Sequence, residues 1–171
     1  METDALPVGV IMQRLPLASR WQSHQWRPLE ILIAPPPGTL TQLRADADDT
    51  RWLFSGFDIR LFTGEAEGYF LNVSSPVPCW FIMSRMEEID GEEIFVPKAV
   101  TLSYHEAARM MDGGESVETV PADAAIIERM QAFVAEHYRP EPKKKRMKPS
   151  FEGGAAVQRM ADEEGKQHGG Q

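Results

Sequence analysis

The sequence predicts an α+β fold, in which a mostly antiparallel sheet of six or seven strands, or a partly closed barrel, carries one short helix and a C-terminal helix. Short runs of β-forming residues separated by turns fill residues 7–101, and helical periodicity begins only after residue 102. The composition, 42% hydrophobic and 26% charged, is typical of a globular domain. We therefore predict a single domain over residues 1–138.

Two strands are predicted before the first polar region. Residues 7–14 alternate loosely between apolar and polar side chains, and residues 25–33 are rich in β-forming side chains. The second run ends at the prolines of 35–37, which have no backbone N–H to donate to a ladder. Residues 39–50 contain three aspartates and predict a polar loop or a short helical turn.

A β-hairpin is predicted next. Apolar and polar residues alternate from 52 to 62, as expected for a strand with one solvated face, and Gly56 indicates a bulge. The turn at 63–68 contains two glycines and leads to residues 69–73, which alternate again. We expect residues 69–73 to be the returning strand of this hairpin.

Two further strands and a short helix follow. Residues 80–86 are apolar on both faces and predict a central strand, and residues 94–101 predict its neighbour. Ser103 and Glu106 have the spacing of a capping box, in which the serine hydroxyl accepts from the backbone of Glu106 and the glutamate side chain returns to the cap. This helix should end at Gly113, where two glycines occur together.

The last predicted elements are a short strand and a longer helix. Residues 116–120 resemble a strand, and Pro121 then opens a helix over 122–138 whose apolar residues recur at spacings of three and four. Its apolar stripe should cover one sheet face or one end of a barrel. Two prolines, at 140 and 142, end the helix, and we expect the polar tail at 149–171 to be disordered.

Residue types that carry catalysis are scattered along the chain. The single cysteine, Cys79, precedes an apolar run and has no sequence neighbour that would lower the pKa of its thiol. The histidines lie in different predicted elements, without a second ligand at metal-site spacing. We predict no catalytic residue, no metal and no cofactor, and hence no enzyme. The histidines are His24, His105, His137 and His168.

Two tryptophans are candidate partner-binding residues. Trp21 and Trp26 bracket four polar residues, and at strand spacing they would point to opposite faces, one inward and one toward a partner. Burial is the commoner fate of a tryptophan, whereas an exposed one would be an interface anchor.

A basic segment follows the acidic body. Residues 1–138 contain 21 acidic and 10 basic residues, a net charge of −11, whereas residues 139–148 have a net charge of +5 and include four of the six lysines. An acidic body disfavours nucleic acid as a partner. The segment itself is a solvated linker, a patch for nucleic acid or an anionic surface, or a docking segment for an acidic protein. The candidate docking residues are Lys143, Lys144, Lys145 and Arg146.

Several segments resemble a known family. The similarity rests on residues 7–16, 21–26, 68–76, 101–115 and 137–145. The chain is similar there to bacterial proteins of domain-of-unknown-function family 3305, whose members tend to be encoded beside formate dehydrogenase genes. The resemblance implies a role in making, supplying or regulating that molybdenum or tungsten enzyme, and it implies no site residues.

We expect a cytoplasmic, non-catalytic accessory protein that docks on formate dehydrogenase or its maturation factors through a strand edge and the basic segment. No apolar run approaches the roughly 20 residues that a membrane span requires. One alternative is a binding module for a small anionic ligand, with Arg27, Arg60 and Arg85 as carboxylate contacts. Another is a small enzyme, which would require a histidine, an acid and a serine or cysteine in one pocket.

Overall fold

In the described part of the chain, seven strands form two antiparallel sheets, and three α-helices complete an α+β fold. The computed structural model describes residues 4–140, of which residues 4–138 belong to one compact unit. The strands are β1 (Leu6–Pro16), β2 (His24–Ile33), β3 (Leu40–Asp46), β4 (Asp49–Ile59), β5 (Cys79–Ile89), β6 (Glu92–Thr101) and β7 (Ser116–Pro121). The helices are α1 (Ala66–Val73), α2 (Tyr104–Asp112) and α3 (Ala124–His137), and a 3-10 turn covers Thr63–Glu65.

The strands divide into a four-stranded sheet in the order β2-β1-β4-β3 and a three-stranded sheet in the order β6-β5-β7. The α+β class is confirmed, but the single sheet is wrong, and within the described residues the strands do not close into a barrel. The strands form two sheets instead of one because the chain leaves the first sheet after β4. It then forms a 3-10 turn and helix α1 before β5 begins.

The polar region at 39–50 is a hairpin, so the predicted loop or helical turn is wrong. β3 pairs with β4 through a tight turn at which Asp46 lies opposite Asp49. Every residue of β3, an edge strand of its sheet, is exposed, so neither face of this strand is covered by the core. A strand without a buried face has no apolar alternation, which removes the signal that would have predicted it.

The bulge predicted at Gly56 is confirmed. The register between β1 and β4 shifts between Val8, opposite Phe57, and Val10, opposite Phe54, so two residues of β4 face the single residue Gly9. Gly56 has φ of +100°, a conformation that a side chain would strain.

Residues 69–73 belong to helix α1, so the predicted returning strand is wrong. Tyr69 and Asn72 lie one helical turn apart and are both buried, whereas Phe70 and Leu71 are exposed. The Tyr69 ring packs edge-on against Phe133 of α3, with ring centroids 5.6 Å apart. Packing on α3 therefore overrides the β-propensity of this short aromatic run.

The second sheet and the later helices follow the prediction closely. β5 lies between β6 and β7, as its two apolar faces predict. Ser103 caps α2 by accepting a hydrogen bond from the Glu106 N–H at 3.1 Å, but the Ser103 N–H donates to Thr101 Oγ1 instead of to the Glu106 side chain. Helix α2 ends at Asp112 and is followed by Gly114 with φ of +86°.

Helix α3 begins later than predicted. Pro121 closes β7, and Asp123 caps the helix by accepting from the Ile126 N–H at 2.9 Å. Both sheets and the helices α1 and α3 contribute to one core. The core residues include Val8, Val10, Met12, Trp52, Phe54, Tyr69, Trp80, Ile82, Ile94, Val96, Val120, Met130 and Phe133.

Of the predicted basic segment at 139–148, the structure describes the first two residues. The predicted disordered tail lies outside the described part of the chain. Among residues 4–140, no helix combines the length and apolar character needed to cross a bilayer.

Candidate functional site

A shallow pocket lies where the start of β2 meets the hairpin between β5 and β6. Its volume is about 230 Å³, and we refer to it as the Trp21 pocket. One wall comes from the loop before β2 and from the first residues of that strand, and the other comes from the hairpin. The lining residues are Trp21, Gln22, Ser23, His24, Trp26, Met86 and Glu93.

The inner side of this pocket is a stack of aromatic and guanidinium groups. Trp26 of β2 stacks on Trp52 of β4, with ring centroids 5.3 Å apart and planes 24° apart. The Arg14 guanidinium carbon of the intervening strand β1 lies 5.4 Å from the Trp26 ring and 5.0 Å from the Trp52 ring. Arg14 Nη1 also donates to Glu92 Oε2 of β6 at 2.8 Å. These contacts join the ends of the two sheets and hold Trp26 in place.

Trp21 is 90% exposed, which overturns the expectation of burial for this residue. It lies in a loop closed by its own hydrogen bonds, from Leu17 N–H to the Ser23 carbonyl at 3.0 Å and from Trp21 N–H to Ser19 Oγ at 3.2 Å. Because Trp21 precedes β2 instead of lying in it, alternation along a strand does not position its side chain. Trp26, in contrast, is half-buried against the core.

The hairpin wall of the pocket is negatively charged. Glu93 lines the pocket, Glu88 lies directly opposite it across the strand pair, and Asp90 is in the turn. Within the described residues none of these three carboxylates forms an ion pair, whereas the neighbouring Glu92 is neutralised by Arg14. Like charges on facing strand positions repel each other. A partner that brings positive charge to this wall would relieve that repulsion.

The arginines considered for an anionic ligand are not brought together. Arg27 Nε donates to Gln13 Oε1 at 2.7 Å, and Arg85 Nε donates to Glu115 Oε2 at 2.6 Å. Arg60 lines a different pocket of about 210 Å³, whose walls also carry two carboxylates. Each arginine therefore lies among different neighbours. The basic residues Lys143, Lys144, Lys145 and Arg146 lie outside the described residues.

Serine, histidine and acidic groups meet between α1 and α2, where they tie the two helices together. The Ser103 hydroxyl is fully buried and donates to Glu65 Oε1 at 2.6 Å, and Arg109 Nη2 contacts both oxygens of that carboxylate at 3.1 Å. His105 Nε2 lies 3.0 Å from Glu67 Oε1 in a separate contact. The serine and the histidine thus belong to different hydrogen-bonded pairs.

Cys79 is half-buried, and burial raises the pKa of its thiol. A raised pKa lowers the thiolate fraction at neutral pH and with it the reactivity of the side chain. Among the described residues no group of three or more histidine, cysteine, aspartate or glutamate side chains is placed to hold a metal ion.

Sequence reasoning identified Trp21 and Trp26 but missed Met86 and Glu93. Both missed residues lie on a hairpin that is distant in sequence from β2, and a methionine and a glutamate in a strand are ordinary surface residues. Glu93 carried one available signal, since it belongs to the acidic turn between two predicted strands.

Comparison with known proteins identifies a family but no activity. A family model described as Protein of unknown function (DUF3305) matches residues 7–147. No curated protein and no solved structure matches the chain. The matched region includes every helix and nearly every strand residue described above, together with all residues of the Trp21 pocket. The chain therefore belongs to the DUF3305 family of proteins of unknown function.

Proposed function

We propose that this protein is a non-catalytic interaction protein whose partner docks at the Trp21 pocket. The observation that supports this proposal is an indole that is 90% exposed beside a tryptophan already fixed by stacking. A solvated indole contributes little to packing in the free protein, whereas tryptophans in the centre of an interface are among the residues that contribute most to binding.

The surroundings of Trp21 resemble an interface centre. Met86, which is 48% exposed, lines the pocket beside the two indoles, and the other lining side chains are polar or charged. Aromatic residues and methionine are enriched at such centres. The rigid stack of Trp26, Trp52 and Arg14 behind the pocket reduces the ordering that binding requires.

We further propose that the partner is a bacterial formate dehydrogenase or one of its maturation factors, and that the protein acts in the cytoplasm. This part of the proposal is supported by the genomic setting that the family resemblance implies. The basic residues at 143–146 are a second candidate contact, because their charge is opposite to that of an acidic partner surface.

The test is quantitative affinity capture of the protein expressed from its native locus. Four forms are compared: the unaltered chain, Trp21→Ala, Val77→Ala and a chain ending at residue 138. Val77 is the matched control because it is an apolar residue that is 60% exposed and lies in another part of the surface, after α1. Formate dehydrogenase subunits and their maturation factors are quantified in each capture by mass spectrometry.

We expect Trp21→Ala to reduce recovery of the partner at least about tenfold, because truncating an interface tryptophan costs about 2 kcal/mol or more. Val77→Ala should retain full recovery. Equal recovery by Trp21→Ala and the unaltered chain would exclude the pocket as the docking site. Absence of those proteins from the capture of the unaltered chain would exclude the proposed partner. The truncated chain measures the contribution of the basic segment.

A further inference from the structure

We propose that the Trp21 pocket receives an arginine side chain of the partner, with the guanidinium between the indole of Trp21 and the carboxylate of Glu93. This inference rests on the proposed docking function and specifies its chemistry. Two indoles and one carboxylate line a single pocket, and this combination recognises an organic cation.

The aromatic part of the pocket can hold a cation by its ring faces. Within this protein Arg14 already lies over the rings of Trp26 and Trp52, at 5.4 and 5.0 Å. The contact of Arg14 with these two rings is a cation–π interaction of the same kind, and it lies beneath the pocket. The ring of Trp21 is 90% exposed and is free to make an equivalent contact with a group from outside.

The carboxylates beside the pocket determine which sign of charge a ligand should carry. Glu93 faces Glu88 across the hairpin, and within the described residues neither carboxylate has an ion-pair partner. Covering Glu93 with an uncharged surface would remove water from the carboxylate without replacing the lost hydrogen bonds. Such desolvation of a charge is unfavourable for binding. A guanidinium offers two parallel N–H donors to such a carboxylate and reduces the repulsion from Glu88. An anionic ligand would increase that repulsion.

The size of the pocket suits a single side chain, and the chemistry of an indole favours arginine over lysine. Its volume of about 230 Å³ is below the roughly 300–1,000 Å³ typical of small-molecule sites. A planar guanidinium stacks on an indole and is weakly hydrated, whereas the ammonium of lysine is a compact and strongly hydrated charge. Arginine is therefore expected to bind more tightly than lysine at this position.

The test uses the purified full-length chain and three short acetylated, amidated peptides of the form Gly-X-Gly, in which X is arginine, citrulline or lysine. Citrulline has nearly the shape of arginine but no charge, so the comparison isolates the guanidinium charge. Binding is followed by NMR through the indole N–H signal of Trp21, which is identified by its loss in Trp21→Phe. The protein variants are Glu93→Gln and, as a matched control, Glu136→Gln, whose side chain is 70% exposed on α3.

We expect the arginine peptide to shift the Trp21 signal in a saturable and salt-sensitive manner, with a Kd at least about threefold below that of the lysine peptide and tenfold below that of the citrulline peptide. Glu93→Gln should weaken arginine binding about fivefold or more, and Glu136→Gln should leave it unchanged. Equal shifts with arginine and citrulline, no saturable shift with arginine, or equal behaviour of the two glutamine variants would overturn the proposal. If one of those results is obtained while Trp21→Ala still loses its partner in the capture experiment, the docking function is supported. Only the recognition of an arginine side chain is then rejected.

Discussion

The side-chain amide of Asn72 is hydrogen-bonded to both backbone polar groups of Cys79. Asn72 Nδ2 donates to the Cys79 carbonyl at 2.8 Å, and Asn72 Oδ1 accepts from the Cys79 N–H at 3.0 Å. The same Nδ2 donates to the Leu102 carbonyl at 2.8 Å. One fully buried side chain therefore joins the end of α1, the first residue of β5 and the segment before α2.

Asn72→Asp should destabilise the protein by about 2–5 kcal/mol, because it replaces a double donor with an oxygen that repels two carbonyl groups and leaves them without a partner. Aspartate has almost the shape of asparagine, so the change tests hydrogen bonding and not volume. Urea denaturation followed by circular dichroism gives the free energy of unfolding. The control is Glu136→Gln on the exposed face of α3, and equal stability of the two variants would contradict the role given to Asn72.

Gly68→Ala should destabilise the protein by about 1–3 kcal/mol through overpacking. A Cβ at Gly68 would overlap the hydroxyl oxygen of Ser103 and crowd the backbone N–H of His105. Gly64→Ala is the matched control, since a Cβ there meets no atom within 4 Å, and its stability should stay within about 0.5 kcal/mol of the original.

A double-mutant cycle tests whether Ser103 is the group that Gly68→Ala meets. Ser103→Ala removes the overlapping oxygen as well as the cap of α2, so the double variant should be less destabilised than the sum of the two single changes. If the changes in the free energy of unfolding of the two single variants simply add in the double variant, the destabilisation by Gly68→Ala does not arise from contact with Ser103.

The two tryptophans at the pocket should differ sharply in their contribution to stability. Trp21→Ala should change the free energy of unfolding by less than about 0.5 kcal/mol, because the exposed indole packs on little. Trp26→Ala should cost at least about 2 kcal/mol, because it removes the stack on Trp52 and the contact with Arg14. Thermal and urea denaturation of both variants provide the comparison. A large loss of stability in Trp21→Ala would show that this indole is packed in solution.

Arg14 should stabilise the junction of the two sheets mainly through its contacts with the indoles. We expect Arg14→Met to cost about 1–2 kcal/mol, because it removes the cation from two ring faces as well as the ion pair. Glu92→Gln removes only the charge partner, whose side chain is half-exposed, and should cost less than about 1 kcal/mol. If the two substitutions had equal effects in urea denaturation, the ion pair and not the ring contact would account for the stabilisation.

Glu118 on β7 should make stability decrease as the pH rises. Burial raises the pKa of this carboxyl above its usual value of 4.5, so the folded state binds more protons than the unfolded state between the two pKa values. Stability attributed to this group is therefore highest below the unfolded pKa and is lost as the pH rises through the folded pKa. Glu118→Gln should be more stable than the original protein at neutral pH, and this advantage should disappear in acid.

Urea denaturation of Glu118→Gln and of the original chain from about pH 4 to about pH 8 measures that dependence. Glu136→Gln, whose side chain is 70% exposed, is measured in parallel as the control for replacing a glutamate on the surface. A constant difference between Glu118→Gln and the original chain at every pH would show that the carboxyl has the same pKa in the folded and unfolded states.

Local sequence patterns predict most of the strands and the two later helices. The prolines after β2, the serine before α2 and the paired glycines after it act on their own neighbours, so their consequences need no knowledge of the rest of the chain. The apolar character of β5 on both faces likewise predicts its central place. Trp21 and Trp26 could be singled out for the same reason, because their residue type and spacing are local properties.

The tertiary structure decides the features that depend on distant residues. Helix α1 forms where β-propensity predicts a strand, because Tyr69 packs on α3 and Asn72 bonds to β5 and to the segment before α2. The exposed edge strand β3 has no apolar pattern, since only its hydrogen bonds to β4 define it. The division into two sheets also depends on residues that are far apart in the sequence. The same is true of the pocket that Trp21 and Glu93 line together. The pocket exists because the sheets join at their ends, and no pattern of neighbouring residues encodes which ends meet.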